Sequence, residues 1–131
     1  MQILIVDSSV SIIERLEEML SETENITAVD SAVSYEGAKN LFQENRHDAV
    51  LLDIDLPGNE SLKLLREIKK AGEETCVIIL FTLADNYIEA QCKYLGADFF
   101  FDKYYDFEKI NRLLSSVSIL KKKKRFGQKE R

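Results

Sequence analysis

The chain of 131 residues has one proline, Pro57, no tryptophan, five glycines, two cysteines and one histidine. Each scarcity excludes something. His47 in "NRHD" leaves a His-rich metal centre or a Ser/His/Asp triad nothing else to build on, and its place at the end of a helical segment suits a structural role. Cys76 and Cys92 lack metal-ligand spacing and are too few for a disulfide framework, which points to a reducing, cytoplasmic setting. No apolar run approaches the roughly 20 residues of a membrane-spanning helix, and no basic leader precedes the first apolar stretch. Neither a membrane partner nor a secretory signal is therefore expected. The length fits one domain with a real core.

Charge is unevenly spread. Residues 121–131, "KKKKRFGQKER", carry seven basic residues and one acid, a net of +6, so the total of −5 leaves −11 on residues 1–120. The division predicts a domain over 1–120 followed by a basic tail or linker over 121–131. Contact with nucleic acid is expected only through that tail, which is too short to be a DNA-binding domain.

Five short apolar runs recur: "ILIV" (3–6), "ITAV" (26–29), "AVLL" (49–52), "VIILF" (77–81) and "FFF" (99–101). The first, third and fourth are nearly continuous, as in strands covered on both faces. Between them, 10–22, 34–45, 60–71, 86–95 and 106–120 have helical length and period, with stripes such as Val10, Ile13, Leu16 and Leu20. Strand then helix, five times over, predicts an α/β fold: a doubly wound, five-stranded parallel sheet with five helices. In such sheets the working site lies at the carboxyl ends of the strands. Those ends hold Asp7, Ser8 and Ser9, then Asp53 and Asp55, then Thr82, then Asp102 and Lys103. Acids, a hydroxyl and an ammonium collect at one rim.

The stretches "ILIVDSS", "LLDIDLPG", "ILFTLAD" and "FFFDKYY" resemble, in order and spacing, the receiver domain of two-component response regulators across about residues 1–120. The resemblance is to chemotaxis-protein-like, flavodoxin-like domains with strand order 2-1-3-4-5. It implies that Asp53 takes a phosphoryl group from a sensor histidine kinase or phosphotransfer protein. It further implies Mg²⁺ held by Asp7, Asp53 and the main-chain carbonyl of Asp55, with Ser8 as a neutral additional ligand. Lys103 would pair with a phosphoryl oxygen, and Thr82 would hydrogen-bond another once Asp53 is modified. Thr82 and Phe100 would form the switch, with output through residues 86–120, and a homodimer is a further expected partner state. Turnover would be confined to the domain's own phosphorylation and dephosphorylation. A carboxylate can serve as nucleophile in phosphoryl transfer where cations neutralise the transferring group, so the residue chemistry agrees.

Four positions depart from the family pattern. Ser8 stands where a second acid is usual, which predicts weaker metal binding, and the side chain of Asp55 either restores that charge or points to solvent. Leu83 replaces a small residue and is expected to crowd the site. Ser61 replaces a common glycine. Tyr104 replaces a proline that usually follows a cis peptide, so the Lys103–Tyr104 bond is either trans with a displaced loop or cis at about 2.5–4 kcal/mol. These departures support an alternative, a degenerate receiver acting as a phosphorylation-independent interaction module. Phe99 and Phe101 are expected to fill the sheet faces, leaving Tyr104, Tyr105 and Phe107 for an interface. Other doubly wound families fit poorly: "DID" follows the third strand rather than the first, as the D-x-D of aspartyl phosphatases would, and Asp7 would oppose a flavin phosphate.

Overall fold

The computed structural model describes residues 1–72 and 74–116. The chain alternates β1 (Gln2–Val6), α1 (Val10–Ser21), β2 (Ala28–Ala32), α2 (Tyr35–Glu44), β3 (Ala49–Asp53), α3 (Glu60–Ala71), β4 (Cys76–Phe81), α4 (Asn86–Tyr94), β5 (Phe99–Asp102) and α5 (Phe107–Ser115), with a 3₁₀ turn at Pro57–Asn59. All strand pairs are parallel, in the order β2-β1-β3-β4-β5. The fold class and strand order are those the sequence predicts.

Two-residue periodicity splits the central strands between two cores. Ile3, Ile5, Leu51, Ile78 and Leu80 face α1 and α5, burying Ile12, Ile13, Leu16, Leu20, Ile110 and Leu114. Leu4, Val6, Val50, Leu52, Val77 and Ile79 face the other way, against Tyr35 and Ala38 of α2, Leu64, Leu65 and Ile68 of α3, and Cys92 of α4. Each such side chain contributes about 1.5–3 kcal/mol by leaving water, which is why these strands read as unbroken apolar runs. Cys76 and Cys92 belong to opposite cores, on opposite faces of the sheet.

The differences from the sequence expectations lie at edges. β2 occupies 28–32 rather than 26–29: its register runs from Gln2↔Ala28 to Val6↔Ala32, carrying Asp30 and Ser31 into the ladder. An edge strand needs backbone pairing on one side only, so its apolar run does not mark its span. Val10 opens α1 but is 56 % exposed, with Ile12 taking its expected place in the core. α5 ends at Ser115, and the expected continuation over 117–120 and the tail at 121–131 lie outside the described residues. His47 is structural, as expected: it is buried, its ring stacks on Phe42 and its Nε2 pairs with Asp30 Oδ2 at 2.7 Å.

Replacing Leu51, fully buried in the middle of the sheet, with alanine should cost about 2–5 kcal/mol, whereas Val33→Ala, at a site 52 % exposed, should stay within about 0.5 kcal/mol. Urea midpoints of the two variants check this.

Candidate functional site

The register of the sheet assembles the site. β1 and β3 are neighbours with Val6 opposite Leu52, so the next residue of each strand end, Asp7 and Asp53, are brought side by side. Both use the same local device. Asp7 Oδ1 accepts the Ser9 amide at 2.8 Å and Asp53 Oδ1 accepts the Asp55 amide at 2.9 Å, an acid bonding the backbone two residues on. The turn after β3 is then closed by Pro57, Gly58 at φ 69° and Asn59 at φ 57°, the last two in the left-handed region that glycine and asparagine tolerate best. After α1 is set off by Ser9, whose Oγ accepts the Ile12 amide, Ser8 is left exposed.

Lys103 enters from the far side of β4. Its amide donates to Phe81 O at 2.9 Å, and its ammonium reaches Asp7 Oδ2 at 2.8 Å and Asp53 Oδ1 at 3.1 Å. All three residues are at least 96 % buried, Lys103 being 4 % exposed and the two acids 0 % and 1 %. Burial pushes the Asp7 carboxyl above its ordinary 3.8, and the neighbouring Asp53 adds to this, against the lowering effect of Lys103 and the Ser9 amide. Burial alone would lower Lys103, but the two carboxylates outweigh it and hold the ammonium above its ordinary 10.5. One ammonium does not compensate two buried carboxylates, and a net negative charge remains.

Hard oxygen donors of this kind suit a small divalent cation. Asp53 Oδ2 accepts no hydrogen bond among the described residues, leaving it available. No cluster of three or more acids, histidines or cysteines is poised around one metal position among the described residues.

The remaining expected residues lie around this pocket rather than in it. Thr82 is exposed and donates to Asp55 Oδ2 at 3.2 Å. The Asp55 side chain is exposed, so it does not join Asp7 and Asp53 in the buried group. Leu83, expected to crowd the site, is 85 % exposed and lines a neighbouring groove. Asp102 caps the following turn, its Oδ1 accepting the amides of Tyr104 and Tyr105. The Lys103–Tyr104 bond is trans, as are all described peptide bonds, and the lysine still reaches both acids. Phe99 and Phe101 stack on each other against the α1/α5 core, while Phe100 faces α4. Phe107 is not free for an interface, because it packs into the core under the Arg15 guanidinium, 4.2 Å from its ring centre; Tyr104 and Tyr105 remain exposed.

Ser61 is more than a substitution for glycine. Its buried hydroxyl donates to Asp53 O at 2.6 Å and accepts the Leu56 amide at 3.2 Å, stapling the turn that carries Asp53 and Asp55 to the start of α3. A contact across eight residues between a strand end and a helix has no periodic signal in the sequence.

A doubly wound sheet with two buried acids and a lysine at its carboxyl rim narrows the class of protein sharply. The family described as response regulator receiver domain matches residues 3–115, and the chain belongs to that family. It is 29 % identical over 110 residues to the transcriptional regulatory protein DltR of Streptococcus agalactiae, covering 84 % of this chain and 48 % of that protein. Protein CcdB of Bacillus subtilis is 28 % identical over 116 residues, 88 % of this chain and 96 % of its own. A CheY-like receiver domain protein of Methanospirillum hungatei superposes with a TM-score of 0.77 at 24 % identity, covering 99 % of this chain and 98 % of that one. The chain spans about half the length of most of the curated relatives it matches first. It is thus a receiver domain of two-component signalling, a class that generally binds Mg²⁺ at its acidic pocket and works with histidine kinases and output domains.

Two variants test the site's energetics. Because the folded-state value for Asp7 lies above 3.8, its contribution to stability is present in acid and is lost as pH rises through the folded value. Asp7→Asn should therefore melt at a higher temperature than the parent near neutral pH, with the gap closing as pH falls toward 3.8; Lys103 keeps Asp53 as a partner. Ser61→Ala should cost about 1–3 kcal/mol by stranding the Leu56 amide and removing a donor from Asp53 O, read from denaturant midpoints.

Proposed function

We propose that Asp53 is the phosphoacceptor of this receiver domain and that Lys103, Asp7 and Thr82 serve it. The observation that carries the reading is the buried Lys103 ammonium touching both Asp7 and Asp53. An oxygen of Asp53, Oδ2 being the one without a hydrogen-bond donor among the described residues, attacks the phosphorus of a phosphohistidine on a sensor kinase or phosphotransfer protein. The P–O bond forms as the P–N bond breaks, and the imidazole departs. Lys103 exchanges one carboxylate contact for a phosphoryl oxygen, a charge-assisted bond that neutralises the arriving group.

Mg²⁺, when bound, supplies charge neutralisation for the transferring phosphoryl group. Asp7, Asp53 and the main-chain carbonyl of Asp55 are the residues that would hold it, with the Ser8 hydroxyl as a neutral fourth contact. A hydroxyl in place of a carboxylate lowers the affinity, by the order of tenfold for a weakened metal contact.

Phosphorylation adds about −1.5 to −2 charges. Thr82, now on Asp55, would turn to the phosphoryl group, and Phe100, which has no hydroxyl, would report the change by packing. The face over 86–116 presents Tyr87, Tyr94, Tyr104 and Tyr105, all more than half exposed, for an output partner or a second copy. Residues 1–120 would form the domain and 121–131 a basic linker or tail. Burial of Cys76 and Cys92 fits a reducing, cytoplasmic setting.

Ser8, exposed and uncharged, favours the second reading, a degenerate receiver that binds partners without phosphorylation. Incubation with acetyl phosphate and Mg²⁺ followed by intact-mass measurement separates the two. The first reading expects one added phosphoryl group, lost in Asp53→Asn and on chelating the metal. An unmodified parent at high donor and Mg²⁺ concentration leaves the second.

A further inference from the structure

Beside the acidic pocket lies a groove distinct from the buried Asp7–Asp53–Lys103 group. It runs between the turn after β3 and α4, encloses about 400 Å³ and is floored by Ile54, Leu62, Ile88 and Phe100. That volume is within the range of small-molecule sites, which are mostly apolar with a few convergent polar groups. The charged groups here share one sign: besides the neutral Asn59, the carboxylates of Asp55, Asp85 and Glu89 stand in the wall, and no Lys, Arg or His lines it among the described residues.

The carboxylates are only partly committed. Asp55 uses Oδ2 for the Thr82 hydroxyl, and Asp85 uses Oδ1 to cap α4 through the amides of Tyr87 and Ile88. Glu89 Oε1 meets the ammonium of Lys93 at 3.8 Å, and that same ammonium lies 5.6 Å from the Phe100 ring centre. The protein's own side chain thus shows the arrangement the groove's edge accepts: an ammonium between a carboxylate and an aromatic face. Lys93 is 64 % exposed, and so exposed a pair is held weakly enough for another ammonium to replace it.

We propose that this groove binds a small amphiphilic cation, an amine carrying an aromatic or branched apolar body. The body displaces water from Ile54, Leu62 and Ile88, and the ammonium settles among Asp55, Glu89 and the face of Phe100. Charge complementarity selects this occupant: an anion would face three carboxylates, and a neutral apolar molecule would leave them unmatched. Phe100 and the Thr82 partner Asp55 both wall the groove, so, where the proposed phosphorylation of Asp53 holds, amine and phosphoryl group would alter each other's binding reciprocally.

The test uses the full, unphosphorylated chain, so its outcome is independent of the phosphotransfer reading. Methyl and amide NMR spectra are recorded while 4-phenylbutylamine, 4-phenylbutan-1-ol or 4-phenylbutyrate is added. The amine should shift Ile54, Leu62, Ile88 and Phe100 together and bind about tenfold tighter than the carboxylate. Glu89→Gln, a change on a half-exposed helix surface, should weaken the amine about two- to fivefold and leave the alcohol unchanged. Absence of shifts at these four residues, shifts scattered over the surface, or a carboxylate that binds as well as the amine would overturn the proposal.

Discussion

The contact on which the site depends is a single buried ammonium shared by two carboxylates. Lys103, Asp7 and Asp53 come from three different strands, separated by up to 96 residues in the chain. None of the three is stable in so dry a place alone, because an unpaired buried charge costs several kcal/mol. Together they are tolerable but not neutral, and the surplus negative charge suits a cation. Burial, with Asp53 adding to it, keeps Asp7 from being fully at ease as a carboxylate.

That contact exists because the framework beneath it is indifferent to it. Two apolar cores, one on each face of the sheet, hold β1, β3 and β4 in fixed register by backbone ladders and by side chains that are wholly buried. Of the four departures from the family pattern, Ser8, Leu83 and Tyr104 lie exposed in the loops that follow β1, β4 and β5, whereas Ser61 is buried at the start of α3. Ser61 alone has been drawn into the structure, bracing the turn that carries Asp53.

The pocket and its surroundings form two layers of differing charge economy. Inside, two carboxylates and an ammonium are buried in contact. Around it, Thr82 with Asp55, Asp85 capping α4 and Glu89 with Lys93 are solvated and individually weak. The outer contacts can therefore be exchanged at low cost while the inner geometry persists.

Much of this was legible from residue order. Unbroken apolar runs at 3–6, 49–52 and 77–81, alternating with helical stripes, determined a parallel sheet covered on both faces, because only buried strands lack polar alternation. The placement of Asp7, Asp53, Thr82 and Lys103 at strand ends determined the candidate rim. Periodicity is a local property, and it was silent wherever a choice depended on a distant partner. The extent of the edge strand β2, the reach of Lys103 across β4, Asp102 turning back to cap its own loop and Phe107 lying under Arg15 were decided by packing. The side chain of Asp55 had two plausible directions in sequence, and only the proximity of Thr82, 27 residues away, selected one. Tertiary structure decides such matters because a side chain's direction follows the nearest satisfied donor or acceptor, and that neighbour is supplied by the fold.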